Sequence, residues 1–347
     1  MAQGYGQHPT SLSGLSDEAL IAMYRGESWF NMNEQQRLEL LQETVNRSAQ
    51  QNGELGSCRV AFSDDLGPGV SGAQIGDQIL LNRERYVMDM RQVTYGGRTI
   101  TVPLTDSNMQ ALETVLHEDQ HAWQNQVIDG TVPCSDPQLL REYMANNFDV
   151  SLVRDGQGAC DVGQQYLSGA GNGGYYLYYL QSTERDAFRI SQARTMEAAA
   201  YLEQHYGPDG SLDAYRQTVA ANGYEATLQQ AQRYFGTETV EEDINTTLQN
   251  QFYHEDKPVS SPVVEEAVKQ EMVLSLQERM GQAGSMQAKD GVITAQTGPK
   301  TTEEQTQQAP EPSVPAQTPQ VQAPAVSEVG ITAEGGGIDG GTDGGIE

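Results

Sequence analysis

Cysteine is scarce in this chain of 347 residues, and long apolar runs are absent from it. The three cysteines, Cys58, Cys134 and Cys160, include no pair separated by only two residues. An odd number with no such pair argues against a disulfide framework and favours a reducing compartment. Because no stretch holds 18 consecutive apolar residues, we expect no membrane-spanning helix.

The first residues lack the features of a secretory leader. "MAQGYGQHPTSLSG" has no basic start followed by an apolar segment. We therefore expect a cytoplasmic protein. Export by a route that needs no N-terminal leader, or packaging into a virion, stays open.

Basic residues are also few. Twenty Lys and Arg stand against 48 Asp and Glu, which gives a formal net charge of −28. A surface this acidic repels phosphate backbones and anionic lipids. The composition thus argues against nucleic acid and membranes as partners, and we expect a protein or peptide partner instead. It does not predict an oligomeric state.

Residues 283–347 contain no aromatic side chain and are rich in Pro, Gln, Thr and Gly. A segment of this composition cannot bury enough apolar surface to offset the entropy of ordering its backbone. We predict a disordered acidic tail there, and a folded part over roughly residues 10–282.

The N-terminal part of the sequence predicts two helices. Ser16 can cap the first, in "DEALIAMY", and Asn33 can cap the second, in "NEQQRLELLQETVNRSAQQNG". Leu38, Leu41 and Val45 recur at helical spacing in the second.

Three or four short strands are predicted next. Apolar runs at 58–64 and 77–87 flank a loop rich in Gly, Pro and Ser. Residues alternate on both sides of Gly96-Gly97 in the segment 92–104, which predicts a β-hairpin.

Helices dominate the remainder. The segment "TDSNMQALETVLHEDQHAWQNQVIDG" predicts a helix capped by Thr105, Asp106 or Ser107, and Asp136 can cap another that begins at Pro137. A glycine-rich loop, "LSGAGNGG", precedes "YYLYYLQ". A long helix follows in "STERDAFRISQARTMEAAAYLEQHYG", with Thr183 and Asp186 in the spacing of a capping box. Further helices are predicted at 211–221, 224–235, 237–254 and 261–281.

This order of elements predicts an α+β fold with a small, mostly antiparallel sheet beside the helix that carries "LHEDQHAWQ". We divide the chain into an N-terminal helical segment (1–56), a central core (57–205), a C-terminal helical region (206–282) and the tail (283–347).

The motif "HEDQH" has the form HExxH. His117 and His121 are four residues apart, so they lie on one face of a helix and can both reach one metal ion at about 2.0–2.1 Å. Glu118 is about 100° further round the helix, where it can take a proton from water rather than join the ligands. The alternative is a histidine pair that only caps or hydrogen-bonds a neighbour.

A catalytic zinc needs a third protein ligand. We favour Glu184, in "STERDAF", because a carboxylate at the start of a helix has a fixed direction. Asp186 is the nearest alternative, although the capping box, or a hydrogen bond that orients a histidine, accounts for it equally well.

Other candidates fit less well. His205 lies about 30 Å from Glu184 if their predicted helix is continuous. We expect His254 at the surface and Cys160 buried. Tyrosines just before Glu184 can supply a phenol that stabilises an oxyanion or can simply pack in the core; they are Tyr175, Tyr176, Tyr178 and Tyr179.

Together, "ILLN", "LHEDQHAWQ" and "ERDAF" resemble the zincin metallopeptidases of the gluzincin type. Residues 33–200 are similar in particular to the small zincin-like domains of bacterial toxins, of polyvalent proteins from phages and conjugative elements, and of anti-repressor-cleaving peptidases. The resemblance implies zinc as the cofactor, His117, His121 and Glu184 as its ligands, and Glu118 as the catalytic base. Many such peptidases have Asp or Asn four residues after the ligand Glu, where this chain has Phe188.

Three functional hypotheses follow. The first is a zinc-dependent endopeptidase, in which Glu118 takes a proton from water and passes it to the leaving amine. The second is a non-catalytic, zincin-shaped structural or interaction protein of a phage or mobile element. The third is a metal-dependent hydrolase that cleaves a bond other than an amide.

Overall fold

The computed structural model describes the chain over residues 5–67, 69–95, 98–147, 152–154, 159–161, 171–253, 255–259 and 261–268. The predicted tail, His254 and residues 269–282 lie outside these ranges. The fold is α+β and mostly helical. None of the described helices combines the length and the apolarity needed to cross a lipid bilayer.

Three helices open the chain: α1 (Asp17–Ala22), α2 (Gly26–Trp29) and α3 (Glu34–Gln51). The Ser16 side chain accepts a hydrogen bond from the Ala19 N–H, and Asn33 forms a capping box with Gln36. Both predicted caps are therefore confirmed. Each satisfies a backbone N–H that has no partner within its helix.

A three-stranded sheet follows, built from β1 (Arg59–Ser63), β2 (Gly72–Ile75) and β3 (Gln78–Asn82) in the order β1-β3-β2. β1 runs parallel to β3, and β2 runs antiparallel to it. This sheet is mixed, so the prediction of a mostly antiparallel sheet is wrong for the layer next to the HEDQH helix. β2 falls in a segment predicted as loop, because a four-residue strand that begins with Gly72 and is followed by Gly76 carries too little apolar alternation to be recognised.

The strand predicted over 77–87 ends earlier than expected. Asn82 accepts a hydrogen bond from the Glu84 N–H and so starts a short helix, α4 (Arg83–Tyr86). The predicted hairpin is confirmed as β4 (Met90–Tyr95) paired antiparallel with β5 (Arg98–Pro103). A further antiparallel pair, β6 (Leu152–Arg154) and β7 (Ala159–Asp161), was not predicted.

The remaining elements are helical. They are α5 (Ser107–Ile128), α6 (Pro137–Asn147), α7 (Gly171–Leu180), α8 (Ser182–Tyr206), α9 (Gly210–Asn222), α10 (Tyr224–Phe235) and α11 (Val240–Tyr253), and residues 262–268 are also helical. Asp136 caps α6 as predicted, by accepting from the N–H groups of Gln138 and Leu139.

The predicted capping box at the start of α8 is wrong. The helix begins at Ser182, so its N-cap is Gln181, and no side chain caps it. Thr183 therefore lies within the first turn. Asp186 accepts hydrogen bonds from the Tyr143 hydroxyl at 2.8 Å and from Arg185 at 2.7 Å instead of from the helix end.

The core is arranged around α5. Its largest cluster combines α5 with α3, β1, β3 and α8, and includes Leu41, Ile79, Leu81, Met109, Val115 and Leu202. A second cluster joins α7, α10 and α11 and is rich in tyrosine. Because α5 is covered on several sides, its polar residues are buried too, among them His117, Glu118, Asp119, Gln120, Gln124 and Gln126.

A buried ion pair fixes the base of the hairpin to the helical core. Arg37 of α3 donates to both carboxylate oxygens of Asp89, at 2.8 and 3.0 Å. Trp29 and Ser107 also donate to this carboxylate. Asp89 has a φ of +55°, a left-handed conformation that Asp tolerates better than most residues. This one side chain thus connects α2, α3 and the start of α5.

We predict that Asp89→Ala lowers the free energy of unfolding by about 3–5 kcal/mol, because it leaves the Arg37 charge buried without its partner. Urea denaturation followed by circular dichroism measures the loss. The control is Glu27→Ala, which breaks a surface pair with Arg25 and should cost less than about 1 kcal/mol. Equal losses in the two variants would contradict the prediction.

Candidate metal centre

The two histidines of the HEDQH motif lie one turn apart on the buried face of α5. Their Nε2 atoms are 3.1 Å apart, and their rings meet edge to face with centroids 4.7 Å apart. His117 is 8% exposed. The helical spacing seen in the sequence therefore brings both ring nitrogens to one point.

Glu184 completes the group from the first turn of α8. Its Oε2 lies 3.3 Å from Nε2 of His117, and its Oε1 lies 3.4 Å from Nε2 of His121. Both helices contribute side chains that are mostly covered by the surrounding core. A search of the described residues for three or more His, Cys, Asp or Glu side chains close enough to share an ion finds this group.

The spacing of these donor atoms fits a zinc ion. Zinc with ligand distances of about 2.0–2.2 Å in tetrahedral geometry sets neighbouring donors about 3.3–3.5 Å apart. The two Nε2 atoms are 3.1 Å apart, and each faces a different oxygen of Glu184, at 3.3 Å for His117 and 3.4 Å for His121. His117, His121 and Glu184 thus form a triangle of three side chains, each with one donor atom within 4.8 Å of the other two. Three protein ligands leave a fourth position on zinc for water or substrate.

Glu118 lies beside this triangle and against the sheet. The backbone N–H of Gln74, in β2, donates to its carboxylate. Burial raises the pKa of Glu118, and the two neighbouring histidines oppose that rise. A carboxylate whose pKa is raised towards neutrality is suited to accept a proton and release it again.

Gly72 makes room for that carboxylate. A Cβ at this position would lie 2.7 Å from Cγ2 of Thr114 and 3.2 Å from the Glu118 side chain. Glycine is therefore required where β2 passes over α5. Gly72 makes β2 difficult to recognise as a strand from the sequence. The same glycine allows the strand to contact the HEDQH motif.

The charges within the triangle stabilise one another. Burial disfavours the protonated form of His121, but the adjacent Glu184 carboxylate outweighs it and raises the pKa of His121 to about 9. Burial also disfavours the ionised form of Glu184, yet the two histidines hold the pKa of its carboxyl well below the usual range. A metal ion that binds here therefore competes with a proton.

Of the four tyrosines before Glu184, Tyr178 contacts the cluster. Burial together with the neighbouring Glu184 carboxylate raises the pKa of the Tyr178 hydroxyl well above the ordinary value. Tyr179 instead stacks on Phe188 with ring centroids 4.0 Å apart. Tyr175 and Tyr176 pack in the same aromatic cluster.

The alternative ligands lie elsewhere. Asp186 is held by Tyr143 and Arg185, as described above. His205 is at the far end of the continuous helix α8, exposed and stacked on Tyr201. His254 is outside the described residues, and Cys160 lies in β7, where its side chain is not among those described.

Two contacts around the histidines were not anticipated from the sequence. Oε1 of Gln124 lies 2.8 Å from Nδ1 of His121, and Nε2 of Gln124 donates to the Thr183 carbonyl at 2.9 Å. The Phe188 ring packs 4.3 Å from the ring of His117. Gln124 was detectable in principle, because it lies three residues after His121 and hence on the same helical face.

A second buried polar group lies on another face of α5. Asp119 is fully buried, and neither of its carboxylate oxygens has a hydrogen-bond partner that meets normal geometry among the described residues. Burial raises its pKa to about 7, with Ser48 and Arg194 opposing the rise. The nearby Glu54 also has a raised pKa, through burial and the charge of Asp119. The two carboxyls therefore favour holding a proton.

Comparisons of this chain with protein-family models, with curated proteins and with solved structures find no match. The similarity to zincin peptidases therefore stays a prediction. The functional interpretation depends on the geometry of the candidate metal centre itself.

We predict that Asp119→Asn stabilises the protein more at high pH than at low pH. The folded state keeps a proton on Asp119 up to about pH 7, while the unfolded chain loses it near pH 4, so wild-type stability falls as the pH rises between these values. The increase in the free energy of unfolding of Asp119→Asn over wild type should be about 2 kcal/mol greater at about pH 8 than at about pH 5. Urea denaturation at both pH values measures it.

The control for this experiment is Asp65→Asn, at an exposed aspartate. It should change stability little and equally at both pH values. If the gain in stability of Asp119→Asn did not vary with pH, this result would contradict the raised pKa of the Asp119 carboxyl.

Proposed function

We propose that this protein is a zinc-dependent peptidase, with His117, His121 and Glu184 as the zinc ligands and Glu118 as the general base. The observation that carries the proposal is the convergence of His117, His121 and Glu184, with one donor atom of each within 4.8 Å of the others, and a buried carboxylate beside them. When bound, zinc supplies a Lewis acid that makes water more acidic and polarises a carbonyl group.

The protein's own residues then have separate tasks. Glu118 takes the proton of the attacking water and passes it to the leaving amine, for which its raised pKa is suited. The Tyr178 hydroxyl, adjacent to Glu184, is placed to donate a hydrogen bond to the developing oxyanion. The buried surroundings strengthen both interactions, because water screens them less.

Extended polypeptide is the substrate class that we favour. β2 is an outer strand of its sheet, and its residues Gly72 and Gln74 contact Glu118. A peptide that added to this edge would pass beside the candidate metal centre. The net charge of −28 disfavours nucleic acid and anionic lipid as alternatives.

A structural metal site is the second candidate function. The burial of His117 and Glu184 favours it, because a structural ion holds helices together without solvent access. Glu118 distinguishes the two candidates. A structural ion has no need of a second carboxyl with a raised pKa, placed next to the ligands and accommodated by a glycine.

We predict that the purified protein binds about one zinc per chain, and that His117→Ala and Glu184→Ala each lose it. Elemental mass spectrometry after reconstitution and desalting measures the metal content. Asp186→Ala should retain zinc, because Asp186 is held by Tyr143 and Arg185. Wild-type protein that takes up no zinc would refute the proposed function.

We predict that Glu118→Gln keeps its zinc but loses peptide hydrolysis by about 10²–10⁴-fold, because an amide cannot act as the base. Tyr178→Phe should also keep zinc and lower kcat by about 10–10³-fold. Cleavage of a mixed peptide library, followed by mass spectrometry, measures both effects whatever sequence the enzyme prefers to cleave.

The matched control is Glu225→Gln, an exposed glutamate of α10, which should cleave as wild type does. Zinc-loaded wild type that cleaves no more than Glu118→Gln would favour the structural metal site.

A further inference from the structure

Gln124 connects the two helices that supply the candidate ligands. It is 1% exposed, so neither the oxygen nor the NH₂ group of its amide is accessible to solvent. One end contacts His121, and the other contacts the backbone of Thr183, the residue before Glu184. A single side chain on α5 therefore contacts one ligand and the neighbour of another.

The orientation of this amide is determined by its partners. The Thr183 carbonyl can only accept a hydrogen bond, so the NH₂ group of Gln124 must face it. The amide oxygen is left for His121.

This orientation selects the state of the His121 ring. Because Oε1 of Gln124 is an acceptor, Nδ1 of His121 must carry a hydrogen. The lone pair of a neutral ring then resides on Nε2, the atom that faces His117 and Glu184. A hydrogen bond of this kind holds the ring plane and raises the basicity of the ligating nitrogen.

His117 has no equivalent support among the described residues. Its Nδ1 lacks a hydrogen-bond partner there, and its ring is held by packing against Phe188. Of the two histidines, His121 is therefore the one whose Nδ1 is held by a hydrogen bond among the described residues.

We propose that Gln124 is a positioning residue that sets the tautomer and direction of His121 for metal binding and couples this ligand to Glu184 through Thr183. The proposal rests on the proposed metal site but not on peptidase activity. It assigns to a glutamine outside the HEDQH motif a direct effect on metal affinity.

The experiment compares Gln124→Met with Gln126→Met. Methionine has nearly the volume of glutamine but cannot accept from Nδ1 in the same way. Gln126 is equally buried on α5 and also hydrogen-bonded, to Glu54 and to the Leu55 N–H, but on another face. It therefore controls for the loss of a buried amide from the same helix.

Zinc affinity is measured by competition with a chromophoric chelator, and the visible absorption of the Co²⁺-substituted protein reports the ligand geometry. We expect Gln124→Met to bind zinc about 10–100-fold more weakly and to change the Co²⁺ spectrum. Gln126→Met should leave both unchanged. Gln124→Glu, which restores an acceptor for Nδ1, should recover most of the affinity. Circular dichroism of each metal-free variant establishes that it is folded.

Wild-type affinity in Gln124→Met, or an equal loss in Gln126→Met, would overturn the positioning role while leaving the metal site intact. Absence of zinc binding by the wild type would instead overturn the metal site itself. The two failures are therefore distinguishable, and a protein that binds zinc without cleaving peptides still tests Gln124.

Discussion

The packing of α5 against α8 is the contact on which the candidate metal centre depends. α5 supplies both imidazoles, and the first turn of α8 supplies the carboxylate that lies within 3.4 Å of each. The Gln124–Thr183 hydrogen bond joins the same two helices. Arg194 of α8 also donates to Ser48 of α3 and to Asn52 at the C-terminal end of α3. A shift of α8 along α5 by even one turn, about 5.4 Å, would move Glu184 away from the two imidazoles.

Burial acts on several carboxyl groups around α5, with opposite results. Asp119 and Glu118 have raised pKa values because they lose water without gaining enough positive charge. Glu184 is just as buried, yet its pKa is lowered because two imidazoles face it. The difference lies in the neighbours rather than in the depth of burial. This contrast separates the carboxylate suited to be a ligand from the one suited to be a base.

The sequence predicted best what is local along the chain. The spacing of His117 and His121, the caps at Ser16 and Asn33 and the hairpin depend on neighbouring residues, and the structure agrees with them. The parallel pairing of β1 with β3 and the contact between Gln124 and Thr183 join residues that are distant in sequence, and no local pattern encodes them. The capping-box prediction failed because α8 begins at Ser182, which leaves Thr183 and Asp186 to bond with α5 and α6. Glu184 was favoured for its place at a helix start, and it does lie in the first turn of α8.

The candidate ligands are divided unevenly along the chain, since Glu184 follows His121 by 63 residues. At synthesis rates of about 5–20 residues per second, the ribosome adds Glu184 roughly 3–13 seconds after His121. During that interval a nascent chain offers an ion only two imidazoles. Under the proposed function, an ion that requires all three donors is therefore acquired only after α8 has docked on α5.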